Sequence, residues 1–136
     1  MRPSKEFTFM TIAKVWAKQS TCPKLHVGCV LVNSQDQIIA SGYNGRPKNF
    51  PHCLETNCDN GEFHGVVHSE LNAIIACAMN GVSTKNTRLF VTSCPCFRCS
   101  LAIIQSGIKE VIYLYNPLET SIKLLQLGKV LVRELK

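Results

Sequence analysis

Within residues 5–20, Phe9, Ile12, Ala13 and Trp16 recur at the spacing that brings them to one face of a helix. That stripe is read as core rather than as a ligand platform. Two β-runs follow, over 27–33 and 37–43, and the short polar segment Ser34-Gln35-Asp36 between them is a hairpin signal. The periodicity then stops. Residues 46–63 carry Pro47, Pro51, Asn57, Asp59, Asn60 and Gly61, which predicts a long loop. Loops of that length inside a compact domain are usually functional or pinned by something.

Periodicity returns with Leu71, Ile74, Ile75 and Ala78, the apolar face of a predicted helix that Asn80-Gly81 stops. A strand over 88–92 comes next. Pro95 then opens a helix with Phe97, Leu101 and Ile104 on one face, closed by Gly107. A strand over 110–115, a helix over 118–127 and a strand over 130–135 complete the pattern. Strands separated by helices of this length imply crossovers, so the C-terminal half should be parallel and attached to the N-terminal hairpin. The expected class is α/β, a mixed five-stranded sheet with helices on both faces. With no internal repeat and no boundary, 1–136 reads as one domain.

The 46% of hydrophobic residues is enough to build a core and excludes the disordered class. Lys14 and Lys18 interrupt the first apolar run before it could act as a signal or membrane span, so a cytoplasmic protein is expected. The formal charge of +6 suits a phosphorylated partner. However, Lys14, Lys18, Lys24, Arg46, Lys48 and Arg98 are spread singly, which fits a solvated basic surface better than a nucleic-acid stripe. A small phosphorylated ligand needs only a few of them.

Eight cysteines without an export signal point to metal or thiol chemistry rather than disulfides. Cys96 and Cys99, three apart in Pro95-Cys96-Phe97-Arg98-Cys99, face the same side at a helix start, where the helix terminus favours thiolate. His68 opens the other predicted helix and supplies a third ligand. Three protein ligands leave a tetrahedral zinc with one open position, the arrangement of a catalytic site, and zinc lowers the pKa of a water there towards about 7. Glu70, two residues from His68, is placed to exchange protons with that water. His-x-Glu followed by Pro-Cys-x-x-Cys is the signature of zinc nucleobase deaminases. The competing readings are ordinary core and surface residues, or a structural ribbon site completed by Cys94. Cys29 and Cys77 sit in apolar runs and read as small buried hydrophobes.

Val27-Gly28-Cys29, Ser41-Gly42-Tyr43-Asn44-Gly45, His68-Ser69-Glu70-Leu71-Asn72-Ala73-Ile74, Ser93-Cys94-Pro95-Cys96 and Gln105-Ser106-Gly107-Ile108-Lys109 together resemble the deoxycytidylate deaminase family over nearly the whole chain. The resemblance implies a three-layer α/β/α cytidine-deaminase-like fold and hydrolysis of dCMP to dUMP and ammonia, which supplies dTMP synthesis. It implies zinc on His68, Cys96 and Cys99, with Glu70 as the proton carrier. It places Asn44 at a sugar-contacting position whose loop is also associated with a regulatory nucleotide, whereas Asn-Gly alone would simply make a turn. Ser69 stands where alanine is common in the family. A homo-oligomer is implied, often a hexamer, with dCTP as activator and dTTP as inhibitor.

Some relatives carry a second, structural zinc, for which Cys22, Cys53, Cys58 and His64 are the candidates here, with His52 an alternative to His64. Free thiols or a Cys53–Cys58 disulfide compete with that reading. Lys24 and His26, near the hairpin, are candidates for the substrate phosphate. The alternative functions are deamination of dCTP, a free base or a tRNA base, or a zinc-stabilised nucleic-acid-binding module, which would leave Glu70 without a role.

Overall fold

The computed structural model describes residues 1–53 and 65–136. Ser4 starts α1 (Lys5–Ala17) by accepting the Phe7 amide on its Oγ at 3.1 Å, which satisfies a first-turn donor the helix itself leaves unpaired. The hairpin of β1 (Gly28–Val32) and β2 (Ile38–Tyr43) is closed by Asn33, whose Oδ1 accepts the amides of Gln35 and Gln37 at 2.9 and 3.0 Å. The remaining elements are α2 (Ser69–Met79), β3 (Arg88–Ser93), α3 (Phe97–Gln105), β4 (Glu110–Tyr115), α4 (Glu119–Leu127) and β5 (Leu131–Glu134). Among the described residues no helix is long and apolar enough to cross a membrane.

The strands form one sheet in the order β2-β1-β3-β4-β5. β1 is antiparallel to both neighbours, and β3, β4 and β5 are parallel, as the pattern of hairpin followed by helical crossovers predicts. Side-chain alternation splits the core in two. Val30, Val32, Phe90 and Ile112 face α1 and pack on Phe9, Met10 and Ala13. Cys29, Leu31, Leu89, Val91, Val111 and Tyr113 face α2, α3 and α4. The layers are therefore α/β/α, and β1, covered on both sides, is buried along its whole length.

Three helical faces differ from the sequence pattern. In α1 the buried set is Phe9, Met10, Ala13 and Ala17, and the helix ends at Ala17 in a tighter turn rather than running to residue 20. Trp16 is not core. It is 36% exposed and stacks on Tyr43, with ring centroids 5.8 Å apart. In α2 the buried residues are Ser69, Glu70, Ala73 and Cys77, while Ile75 and Ala78 face outward. In α3 they are Cys99, Ser100 and Ile103, while Phe97 and Leu101 are exposed. The reason is the same in both. Glu70 and Cys99 occupy the inward face at the helix starts, and at 3.6 residues per turn this sends Cys77 and Ile103 inward with them.

At the edge formed by the N-terminal ends of the parallel strands, Lys5 and Arg88 meet Asp36 at 3.0 and 2.7 Å. The hydrogen bond from Lys5, helped by the charges of Lys5 and Arg88, holds the Asp36 carboxyl below its ordinary range. A lowered folded-state pKa stabilises the fold above the unfolded value, about 3.9, and that contribution is lost as pH falls through the folded value. Asp36→Asn keeps a residue type that tolerates the left-handed φ of 61°. It is expected to melt slightly below wild type at neutral pH, with the gap closing below about pH 4 in thermal melts.

Candidate active site

Gly42 lies on the face of β2 against which α2 packs. A Cβ there would sit 2.2 Å from the Ser69 carbonyl oxygen and 3.0 Å from the Ala73 nitrogen, so only glycine allows the helix backbone this close. Gly45 and Val67 then exchange backbone hydrogen bonds of 3.1 and 2.7 Å, which closes the intervening excursion immediately before His68. Asn72 donates from Nδ2 to the Tyr43 carbonyl at 2.8 Å and ties the first turn of α2 to the end of β2. The start of α2 is thus held by strand, bridge and side chain together.

His68 is the N-cap of α2 and Cys96 the N-cap of α3, and neither side chain caps its helix. Serine, threonine, aspartate or asparagine there would typically stabilise each helix by about 1 kcal/mol. These two positions instead present metal donors. His68 Nδ1 lies 3.5 Å from Cys96 Sγ and 3.3 Å from Cys99 Sγ, and the three donor atoms are all within 4.8 Å of one another. Zinc bonds of about 2.0 Å to nitrogen and about 2.3 Å to sulfur, at the tetrahedral angle, separate the ligand atoms by about 3.5 Å, so the donor set fits zinc. Burial, then the charges of Glu70 and Cys96, push the Cys99 thiol far above its ordinary value. A cation among these groups would reverse that preference and favour the thiolate.

Glu70 is 4% exposed in the first turn of α2. It opens with His68 and Cys96 onto one cleft of about 760 Å³, whose walls also include Asn44, Lys24 and Asn116, while Cys99 is buried behind them.

The structure separates the other sequence candidates. Asn44 is buried, and its amide braces the neighbouring segment, accepting the Val27 amide at 2.8 Å and donating to the Leu25 carbonyl at 2.7 Å. Lys24 is exposed on the cleft wall, whereas His26 is exposed and outside that lining. Cys22 and Cys53 are buried and pack together with Val66, His52 is exposed, and Cys58 and His64 lie outside the described residues. Cys29 and Cys77 are buried as expected, and burial raises both thiols. Cys94 lines the cleft but is not part of the metal-binding group found among the described residues.

One polar cleft residue lies outside every motif singled out in the sequence. Asn116, with a left-handed φ of 60°, donates from Nδ2 to Ser93 Oγ at 3.1 Å across the ends of β3 and β4. The Asn116-Pro117 dipeptide signals a turn there, but nothing local shows that its side chain meets the cleft.

The family model described as the cytidine and deoxycytidylate deaminase zinc-binding region matches residues 3–115. Deoxycytidylate deaminase of Saccharomyces cerevisiae is 37% identical over 144 residues, covering 98% of this chain and 46% of the yeast protein, so the chain spans less than half of that relative. The human deoxycytidylate deaminase is 36% identical over 113 residues, 78% of this chain and 62% of the human one. Among solved structures, dCMP deaminase from the cyanophage S-TIM5 in complex with dCMP and dUMP aligns with a TM-score of 0.87 at 32% identity, covering 99% of each chain.

Proposed function

Because this chain belongs to the zinc-binding cytidine and deoxycytidylate deaminase family, we propose that it hydrolyses dCMP to dUMP and ammonia. The observation that carries the reading is the grouping of His68, Cys96 and Cys99 beside a cleft that His68, Cys96 and buried Glu70 line, in a fold shared with the phage dCMP deaminase. His68, Cys96 and Cys99 would hold zinc, which when bound supplies Lewis acidity and lowers the pKa of water. Glu70 accepts one proton from the attacking water and passes it to N3 as the water oxygen bonds to C4. It then carries the second proton from that oxygen to the amino group, which leaves as ammonia as the C4 carbonyl forms. Across the cycle, one water and one dCMP give one dUMP and one ammonia.

Deamination of dCTP, a free base or a tRNA base, and a nucleic-acid-binding module, are less favoured, and the last gives Glu70 no task. Lys24 on the cleft wall is our candidate for the substrate phosphate, with exposed His26 secondary. Asn44 offers its remaining amide hydrogen and oxygen lone pair to the sugar or to an effector. The buried pairing of Cys22 with Cys53 supports a second, structural zinc completed by Cys58 and His64. We read the chain as one deaminase domain working in the cytoplasm. Exposed Ile75, Met79, Phe97 and Leu101 on α2 and α3 support a homo-oligomer, for which we propose a hexamer with dCTP as activator and dTTP as inhibitor.

Ammonia release from dCMP, CMP, deoxycytidine and dCTP tests the main reading. The expected result is highest kcat/KM on dCMP, and no release from any of the four would overturn it. Zinc analysis on the same sample is expected to give two ions per chain.

A further inference from the structure

Ser69, the first residue of α2, is completely buried, and its Oγ donates to Glu70 Oε1 at 2.5 Å. Its own peptide is clamped from two strands. The Cys29 thiol on β1 donates to the Ser69 carbonyl at 3.2 Å, and Gly42 on β2 lets the same carbonyl lie where a Cβ would otherwise be. The hydroxyl therefore extends from one of the most constrained peptides in the site, and both Ser69 and Glu70 line the cleft.

A glutamate side chain has three rotatable bonds, and a carboxylate free to turn offers either oxygen, at variable angle, to whatever it serves. One short bond to a fixed hydroxyl removes that freedom. We infer that Ser69 is a positioning residue that engages one oxygen of Glu70, so that the other is presented to the cleft in a single orientation. This rests on the deaminase reading, in which Glu70 carries two successive protons between groups a short distance apart. A carboxylate held at one oxygen makes both transfers from the other without searching for its alignment. The serine acts through Glu70 and not on the substrate, so its effect belongs in kcat rather than KM.

Ser69→Ala removes one oxygen from a buried site and adds no volume. In zinc-loaded protein it is expected to lower kcat for dCMP about tenfold while KM stays within about twofold. A second readout needs no turnover. The infrared carboxylate band of Glu70, identified as the difference between wild type and Glu70→Gln, is expected to shift in Ser69→Ala as the hydrogen bond is lost.

A kcat within twofold of wild type would overturn the proposal, whether or not the band moves. So would an unmoved band, or a rise in KM at constant kcat, which would make Ser69 a substrate contact. Loss of zinc from the variant would also overturn it, by assigning the hydroxyl to the metal site. If wild-type protein releases no ammonia from any cytosine nucleotide, the deaminase reading fails by itself, and the infrared comparison still decides whether Ser69 holds Glu70.

Discussion

Replacing Glu70 by glutamine is expected to lower kcat for dCMP by about 10³-fold, equivalent to about 4 kcal/mol in the barrier, with zinc content and melting temperature close to wild type. The substitution is nearly isosteric. The glutamine carbonyl can still accept from Ser69 Oγ, as Glu70 Oε1 does at 2.5 Å, so the buried first turn of α2 keeps its packing and its internal hydrogen bond. What it loses is the ability to take a proton from water and release it to the ring nitrogen or the leaving amine. Since Glu70 lies outside the group of three side chains proposed to hold zinc, zinc binding and proton carriage should separate in this variant. Turnover within tenfold of wild type, measured as ammonia release from zinc-loaded protein, would remove Glu70 from the role assigned to it.

Gly42→Ala is expected to have the second largest effect, and it acts from outside the chemistry. The added Cβ would stand 2.2 Å from the Ser69 carbonyl oxygen, and the neighbouring atoms are backbone that cannot rotate away. The start of α2 must shift, and His68, Ser69 and Glu70 shift with it. Overpacking of this kind costs about 3 kcal/mol of stability, and a displacement of about 1 Å at the reacting groups lowers kcat by about 10²-fold. Gly28→Ala provides the comparison. Its Cβ would meet the Ala13 carbonyl oxygen of α1 at 2.1 Å, on the sheet face opposite α2, so a similar loss of stability is expected with a smaller fall in kcat. Denaturant melts together with kcat per zinc-loaded molecule distinguish the two. Equal losses of kcat in both variants would contradict the view that the Gly42 contact sets the catalytic geometry.

The helical faces depart from the apolar periodicity where the site requires it. Apolar periodicity puts Leu71, Ile74, Ile75 and Ala78 on the inner face of α2, and Phe97, Leu101 and Ile104 on that of α3. Both assignments assume that a helix buries its most hydrophobic stripe. In this protein the inward faces begin with Glu70 and Cys99, and several of the apolar residues are left on the surface. Trp16 departs from the pattern for a related reason: spacing alone does not distinguish a core residue from one that stacks on a neighbouring strand, as Trp16 does on Tyr43.

The element order, the hairpin, the parallel C-terminal half and the grouping of His68, Glu70, Cys96 and Cys99 at two helix starts are legible along the chain. These are short-range properties. Strand alternation, turn residues, a two-residue step from His68 to Glu70 and a three-residue step from Cys96 to Cys99 each have their geometric consequence within one or two helical turns. It takes the packed fold to bring the two helix starts together with His68 Nδ1 3.3 Å from Cys99 Sγ, and to lock Ser69 between β1 and β2 with its hydroxyl on Glu70. Packing likewise commits much of the Asn44 amide to bracing residues 25–27 and brings Asn116 to Ser93 at the cleft. Each of these depends on how closely backbones separated by many residues approach, a distance set by packing across the sheet and by the missing Cβ of Gly42, which no local pattern along the chain encodes.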